Sequence, residues 1–185
     1  MSVAIRYDKE AALLPHYRKH LEYYSTNVME ILRVADADDL DNVATVLDVG
    51  CGDARACAAL VHASSTLQCL AVDYCAERLA LALKHPRIGL VHEDLHAYAD
   101  KLRRREIVVD LAICNEVLEH LQDPRALLDT LKLCARRIVG TVPINLPYVA
   151  HLTVYPDVAS VKVAFPEFTV IPFNGHCVLD WKMEA

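Results

Sequence analysis

Acidic residues and a pair of glycines stand in this chain where they can do ligand chemistry. Asp48, Gly50 and Gly52 lie within Val46-Leu47-Asp48-Val49-Gly50-Cys51-Gly52-Asp53, an aliphatic run entering a Gly-x-Gly turn, and an alanine-rich segment from Ala54 to Val61 follows. That is the pattern of a strand, a tight turn and a helix start, the first unit of a nucleotide-binding α/β sheet. In a dinucleotide fold the position of Asp48 is usually apolar, and the turn closes on a pyrophosphate at the helix N-terminus. A carboxylate there suits a cationic or amine-bearing group instead. Asp73 closes a second apolar run 21 residues after Gly52, in register to accept both hydroxyls of a ribose. Tyr74 follows, where its ring can stack beside a base.

A second group is Glu116, Glu119 and His120, within Asn115-Glu116-Val117-Leu118-Glu119-His120. Fitted to a helical turn, these three fall at i, i+3 and i+4 and share one face. Two carboxylates and an imidazole can seat a hard or borderline divalent ion such as Mg. The other reading is that Glu116 touches a cofactor, Glu119 caps backbone or pairs with an arginine, and His120 faces substrate as a base.

The elements that must position these residues follow from the patterning. Strand-like runs occupy 45–49, 67–72, 88–92, 107–114 and 137–142, with helical patterns near 53–64, 75–84, 96–104 and 124–134. Such alternation predicts a parallel sheet with helices on both faces, whose ligands bind beyond the strands' carboxyl ends. Pro124 suits the first turn of its helix with Asp123 as cap, and Asp94 suits the N-cap of the helix before it. Phe168–Phe173 and His176–Trp181 flank Asn174-Gly175, a strong hairpin signal. Pro172 places its strand at an edge or a bulge. His176 can also point into the site, although a strand-end histidine more often does not.

Residues 1–43 read as helical, with Leu21, Tyr24, Val28, Ile31 and Leu32 on one face. Tyr7, Tyr17, Tyr23 and Tyr24 either pack at the core's edge or touch substrate from a cap over the site. The acidic run 36–41 reads as a solvated connector, and Lys101–Arg105 as a solvated helix end.

Composition narrows the class. The 185 residues are 54% hydrophobic with net charge −6, which fits one globular domain and gives no global pull toward nucleic acid. No apolar run reaches the ~18 residues of a membrane span. Seven cysteines without a C-x-x-C pair argue against zinc clusters and a disulfide framework, and for a reducing, cytoplasmic compartment.

Leu47-Asp48-Val49-Gly50-Cys51-Gly52 resembles the first motif of the class I S-adenosylmethionine-dependent methyltransferases. Glu116-Val117-Leu118-Glu119-His120 resembles the "EVLEH" motif of the branch holding the ubiquinone-pathway O-methyltransferases and the small-RNA 2′-O-methyltransferases. Arg136–Pro143 resembles the family's fifth strand, and the segment around His151 its histidine loop. The resemblance covers roughly residues 44–181; Ala54 departs from it where a third glycine is common. It implies a Rossmann-like, mostly parallel seven-stranded sheet ending in a C-terminal antiparallel hairpin, over a single domain at 1–185 (helical cap 1–43, core 44–185). It implies S-adenosylmethionine as cofactor, held by Asp48, Gly50, Gly52, Asp73, Tyr74, Asp94, Leu95, Asn115 and Glu116. Asp94 would take the adenine amine, and Asn115 and Glu116 would line the methionine end. His120 or His151 would take a proton from an acceptor hydroxyl. In metal-using branches His151 would join Glu116, Glu119 and His120 around the ion.

The expected reaction is methyl transfer to a small molecule, most naturally at oxygen, with a homodimer left open. An RNA 2′-O-methyltransferase and a cofactor-binding partner subunit without activity are the alternatives. A nicotinamide-dependent oxidoreductase would share the sheet and the ribose acid, but it has no use for Asp48 or for residues 116–120.

Overall fold

In the computed structural model, residues 28, 30–35 and 40–184 are described. The tyrosines at 7, 17, 23 and 24 and the connector at 36–39 lie outside the described residues. Val28, Ile31 and Leu32 are helical and buried, as their spacing predicts.

Seven strands form one sheet: β1 (Thr45–Val49), β2 (Gln68–Asp73), β3 (Ile88–His92), β4 (Val109–Asn115), β5 (Ala135–Pro143), β6 (Thr169–Phe173) and β7 (His176–Lys182). Their order is β3-β2-β1-β4-β5-β7-β6. The first five are parallel, and β7 runs antiparallel between β5 and the edge strand β6. This is the Rossmann-like sheet and terminal hairpin expected from the sequence, with Pro172 on the edge strand.

The period-2 alternation of the central strands divides the core in two. Leu47, Val49, Ala112, Cys114, Ile138 and Val142 face one way, onto α3 (Leu95–Arg104), α4 (Pro124–Leu131) and α5 (Val158–Ala164). Val46, Cys69, Ala71, Leu111, Ile113 and Val139 face the other, onto α1 (Arg55–Ala63) and the helical residues 28 and 30–34. Helices therefore cover both faces. Side chains of Asp94, Asp123 and Asp157 cap α3, α4 and α5 by accepting the N–H of Ala97, Ala126 and Ser160.

The helix predicted over 75–84 is shorter. α2 covers Ala76–Leu79, and beyond it the bonds tighten to Leu81 N–H on Arg78 O and Ala82 N–H on Leu79 O. Leu81 and Leu83 are exposed there, so burial does not hold a longer helix together.

β1 lies between β2 and β4, so the chain runs outward through β3 and returns across β1 to start β4. The crevice above the carboxyl ends of β1 and β4 is the switch point where such sheets bind ligands.

Candidate active site

The turn after β1 is built on left-handed backbone. Gly50 and Gly52 have φ of 73° and 57°, and Ala54, the N-cap of α1, has φ of 57°. A Cβ on Gly50 would stand 2.5 Å from Val117 Cγ2, so this position tolerates neither a side chain nor an ordinary φ. The Gly50 and Cys51 N–H groups both donate to Val72 O, which fastens the turn to the end of β2.

Asp73 closes that end. Its Oδ2 accepts the Gly52 N–H and its Oδ1 the Cys75 N–H, both at 2.8 Å. Burial raises its carboxyl above the usual range, against the lowering effect of those N–H donors and of Arg78. Each oxygen keeps a second lone pair for a ligand hydroxyl.

Asp48 is buried, at 2% exposure, and the Cys57 thiol donates to its Oδ2 at 3.5 Å. Burial drives its carboxyl up to about 7; the Cys57 hydrogen bond opposes this, while Asp73 and Asp53 add to it.

A cleft of about 440 Å³, including its open mouth, lies over this turn. Asp73, Tyr74, Cys75, Arg78 and Leu95 form one wall, and Gly50, Glu116, Val117, His120 and Leu121 the other. Asp94 is exposed at the cap of α3, beside the cleft residue Leu95.

The stretch after β4 departs from its expected geometry. Glu116 has φ of 55° and only Leu118–His120 forms a short 3-10 turn, so Glu116, Glu119 and His120 do not share one helical face. The Glu116 N–H reaches Thr141 O and Oγ1 at 3.3 and 3.2 Å, and this pins the left-handed residue to β5. The Thr141 hydroxyl donates to Glu116 Oε1 at 2.8 Å and stands 2.5 Å from the Asn115 amide oxygen. Glu116 Oε2 is 3.4 Å from His176 Nε2.

Glu119 turns the other way. It has 0% exposure, and neither carboxylate oxygen has a hydrogen-bond partner. Its Oε1 is 3.6 Å from His120 Nε2 and 4.0 Å from His151 Nε2. His120 Nδ1 donates to Ala150 O at 3.0 Å and His151 Nδ1 to Leu146 O at 2.9 Å, an arrangement that leaves Nε2 of either ring as the atom facing Glu119. The two rings meet edge to face at 4.8 Å.

The backbone holds this group together, since Glu119 O accepts the N–H of both Leu152 and Thr153. Burial, reinforced by the charge of Glu116, raises the Glu119 carboxyl well above its usual range. Burial also lowers His120 to about 4, opposed by its bond to Ala150. Glu119, His120 and His151 each offer one donor atom within 4.8 Å of the others. Glu116, expected with them as a ligand, is not in that group; its carboxylate belongs to Thr141 and His176.

The sequence therefore placed Asp73, Tyr74, Gly50, Leu95, Glu116 and His120 around one cleft, and His151 beside His120. It did not show Thr141, Arg78 or Val117 in the site. It left His176 open and favoured a place outside, whereas the antiparallel pairing of His176 with Pro143 carries that imidazole to Glu116. The only sequence sign was the Asn174-Gly175 turn immediately before it.

The chain is 35% identical over 109 residues to trans-aconitate 2-methyltransferase of Azoarcus sp. (strain BH72), a match covering 58% of this chain and 41% of that protein. It is 32% identical over 105 residues to ubiquinone biosynthesis O-methyltransferase of Xylella fastidiosa (strain 9a5c), covering 54% and 42%. These matches span about two fifths of the length of those curated relatives. Among solved structures, human N-acetylserotonin methyltransferase in complex with SAM superposes with a TM-score of 0.69 at 13% identity, over 96% of this chain and 57% of that one. The family model described as a methyltransferase domain matches residues 16–152, and the chain accordingly belongs to that family.

Proposed function

We propose that the chain transfers a methyl group from S-adenosylmethionine to an oxygen of a small-molecule acceptor. The observation that carries this reading is Asp73. Its carboxylate is locked by two backbone N–H bonds at the lip of the cleft, with a lone pair left on each oxygen for the two hydroxyls of a ribose. Tyr74 and Leu95 on the same wall suit the adenine, and Asp94 its amine. Gly50, Gly52, Asp48, Asn115 and Glu116 suit the amino-acid end, whose ammonium favours nearby carboxylates. The family supports the cofactor, and the names of the two curated relatives support a small acceptor and, for one of them, oxygen.

When bound, the cofactor supplies a methyl group on a sulfonium centre, so the protein's part is to bind, orient and exclude water. His120 presents Nε2 as a proton acceptor toward an acceptor hydroxyl, and its bond to Ala150 O fixes the tautomer.

Calorimetry with S-adenosylhomocysteine tests the cofactor. Wild type should bind, and Asp73→Ala should lose at least about tenfold in affinity, the scale of a charged hydrogen bond. No binding to wild type, or undiminished binding to the variant, overturns the reading. Labelled methyl from the cofactor, followed in a cell extract, should enter small molecules; label confined to RNA would select the RNA 2′-O reading, and no label the inactive subunit.

A divalent ion at Glu119, His120 and His151 is a second reading, favoured by the buried Glu119 carboxyl whose oxygens lack partners. Two imidazole nitrogens and one carboxylate suit a borderline ion such as Mn at least as well as Mg. Such an ion would supply Lewis acidity toward the acceptor oxygen. Calorimetric titration with Mn and with Mg should give binding that Glu119→Ala abolishes; no heat from wild type with either ion would end this reading.

A further inference from the structure

We propose that His176 is a positioning residue for the cleft: as an imidazolium it clamps the Glu116 carboxylate from the side opposite Thr141. The inference rests on the reading that Glu116 lines the cofactor cleft.

The geometry leaves the imidazole little choice. His176 Nδ1 lies 3.0 Å from Asn174 O, and a carbonyl only accepts, so the Nδ1 hydrogen is committed to it. With that hydrogen committed, a neutral ring would turn the lone pair of Nε2 toward Glu116 Oε2, 3.4 Å away. Lone pair against carboxylate is repulsive. A second proton on the ring converts the contact into a charge-assisted pair. The pair therefore exists only in the doubly protonated state, and its bond to Glu116 raises His176 above the ordinary histidine range.

Glu116 needs such a clamp. It is a non-glycine residue at φ of 55°, held by its N–H on Thr141 and by the Thr141 hydroxyl on Oε1. Oε2 has only His176 to fix it among the described residues. The other ionisable groups whose charge Glu116 reaches are Glu119, a buried acid, and His120, a buried neutral ring. Among the described residues, no second cation is identified against His176, and Glu116 is the one charge that raises it. With both bonds made, the carboxylate is fixed beside Gly50 and Val117, where the cationic end of the cofactor would lie.

The sign is defined. The clamp is present below the raised titration point of His176 and is lost as pH rises through it. S-adenosylhomocysteine should then bind about two- to fivefold more weakly above that point, the scale of a partly exposed ion pair.

Two measurements separate this proposal from the reading beneath it. NMR titration of the His176 ring in the unliganded protein should show a raised midpoint that returns to the ordinary range in Glu116→Gln. That result needs no cofactor, so it stands or falls independently of whether the chain binds one. Calorimetry across pH should then show His176→Gln, whose amide donates to Glu116 without titrating, free of the roughly two- to fivefold weakening above the His176 midpoint, while the pH dependence that Asp48 brings near 7 stays common to both proteins. A His176 midpoint in the ordinary range and unmoved in Glu116→Gln overturns the proposal. So does a His176→Gln variant that keeps the wild-type pH dependence. A purely structural role would lower the stability of His176→Gln and leave the shape of the profile unchanged.

Discussion

Gly50→Ala should destabilise the chain through two separable effects, and the structure says how to divide them. The first is backbone: φ of 73° places an alanine in the left-handed region, at a cost of about 1–2 kcal/mol. The second is steric. The new methyl would sit 2.5 Å from Val117 Cγ2 and 3.2 Å from Cγ1, an overlap relieved only by shifting a buried side chain, at about 1–3 kcal/mol. The sum is about 2–5 kcal/mol, which lowers Tm by roughly 4–20 °C for a chain of this size. Urea denaturation of Gly50→Ala, Val117→Ala and the double variant separates the terms. Val117→Ala alone should cost about 1–3 kcal/mol as a lost buried contact. In the double variant the overlap is gone, so it should be more stable than the sum of the singles by about 1–3 kcal/mol, while the left-handed cost remains. Losses that add to within about 0.5 kcal/mol would refute the reasoning, because they would mean the turn after β1 and the turn after β4 are not in contact.

Two further outcomes follow from the site. In chelator, Glu119→Met should stabilise the protein at pH 8 by about 1–3 kcal/mol, since it removes buried oxygens without partners. The folded carboxyl holds its proton above the range in which the unfolded one ionises, so wild type loses stability as pH rises through the ordinary carboxylate range. The advantage should therefore shrink toward pH 4, and thermal melts showing no such trend would contradict the burial argument. At the cap of α3, Asp94→Ala should cost about 1 kcal/mol while Asp94→Ser costs less than half of that, both read by urea denaturation. Equal losses would mean that the bond to Ala97 N–H contributes little.

What could be read in advance is tied to local chemistry. β1, β3 and the terminal hairpin were legible because aliphatic runs between turn residues have few other solutions. Asp73 was legible because its distance from Gly52 is set by one strand–helix–strand unit. Glu116 was legible as a cleft residue, but its shared face with Glu119 and His120 was not: a helical spacing fits 116–120, and the left-handed φ that breaks it is imposed from β5 through Thr141, far away in sequence. His176 stayed undecided for the same reason: its neighbour is decided by the register of β7 on β5, which local pattern does not contain. Beyond α2 the residues from Ala80 to Leu83 have ample helix propensity, yet only the small Ala82 reaches the core while Leu81 and Leu83 stay exposed, too little burial to extend the helix.

The edge strand has a consequence for colloidal behaviour. Among the described residues β6 bonds to β7 on one side only, and an open strand edge is a template on which another chain can add. Pro172 sits in the middle portion of that strand, paired with Cys177, and has no N–H to offer a newcomer. An eighth strand added at this edge by another molecule would meet a gap in its ladder, and Pro172→Val is the change that would make fibril-like association easiest to provoke.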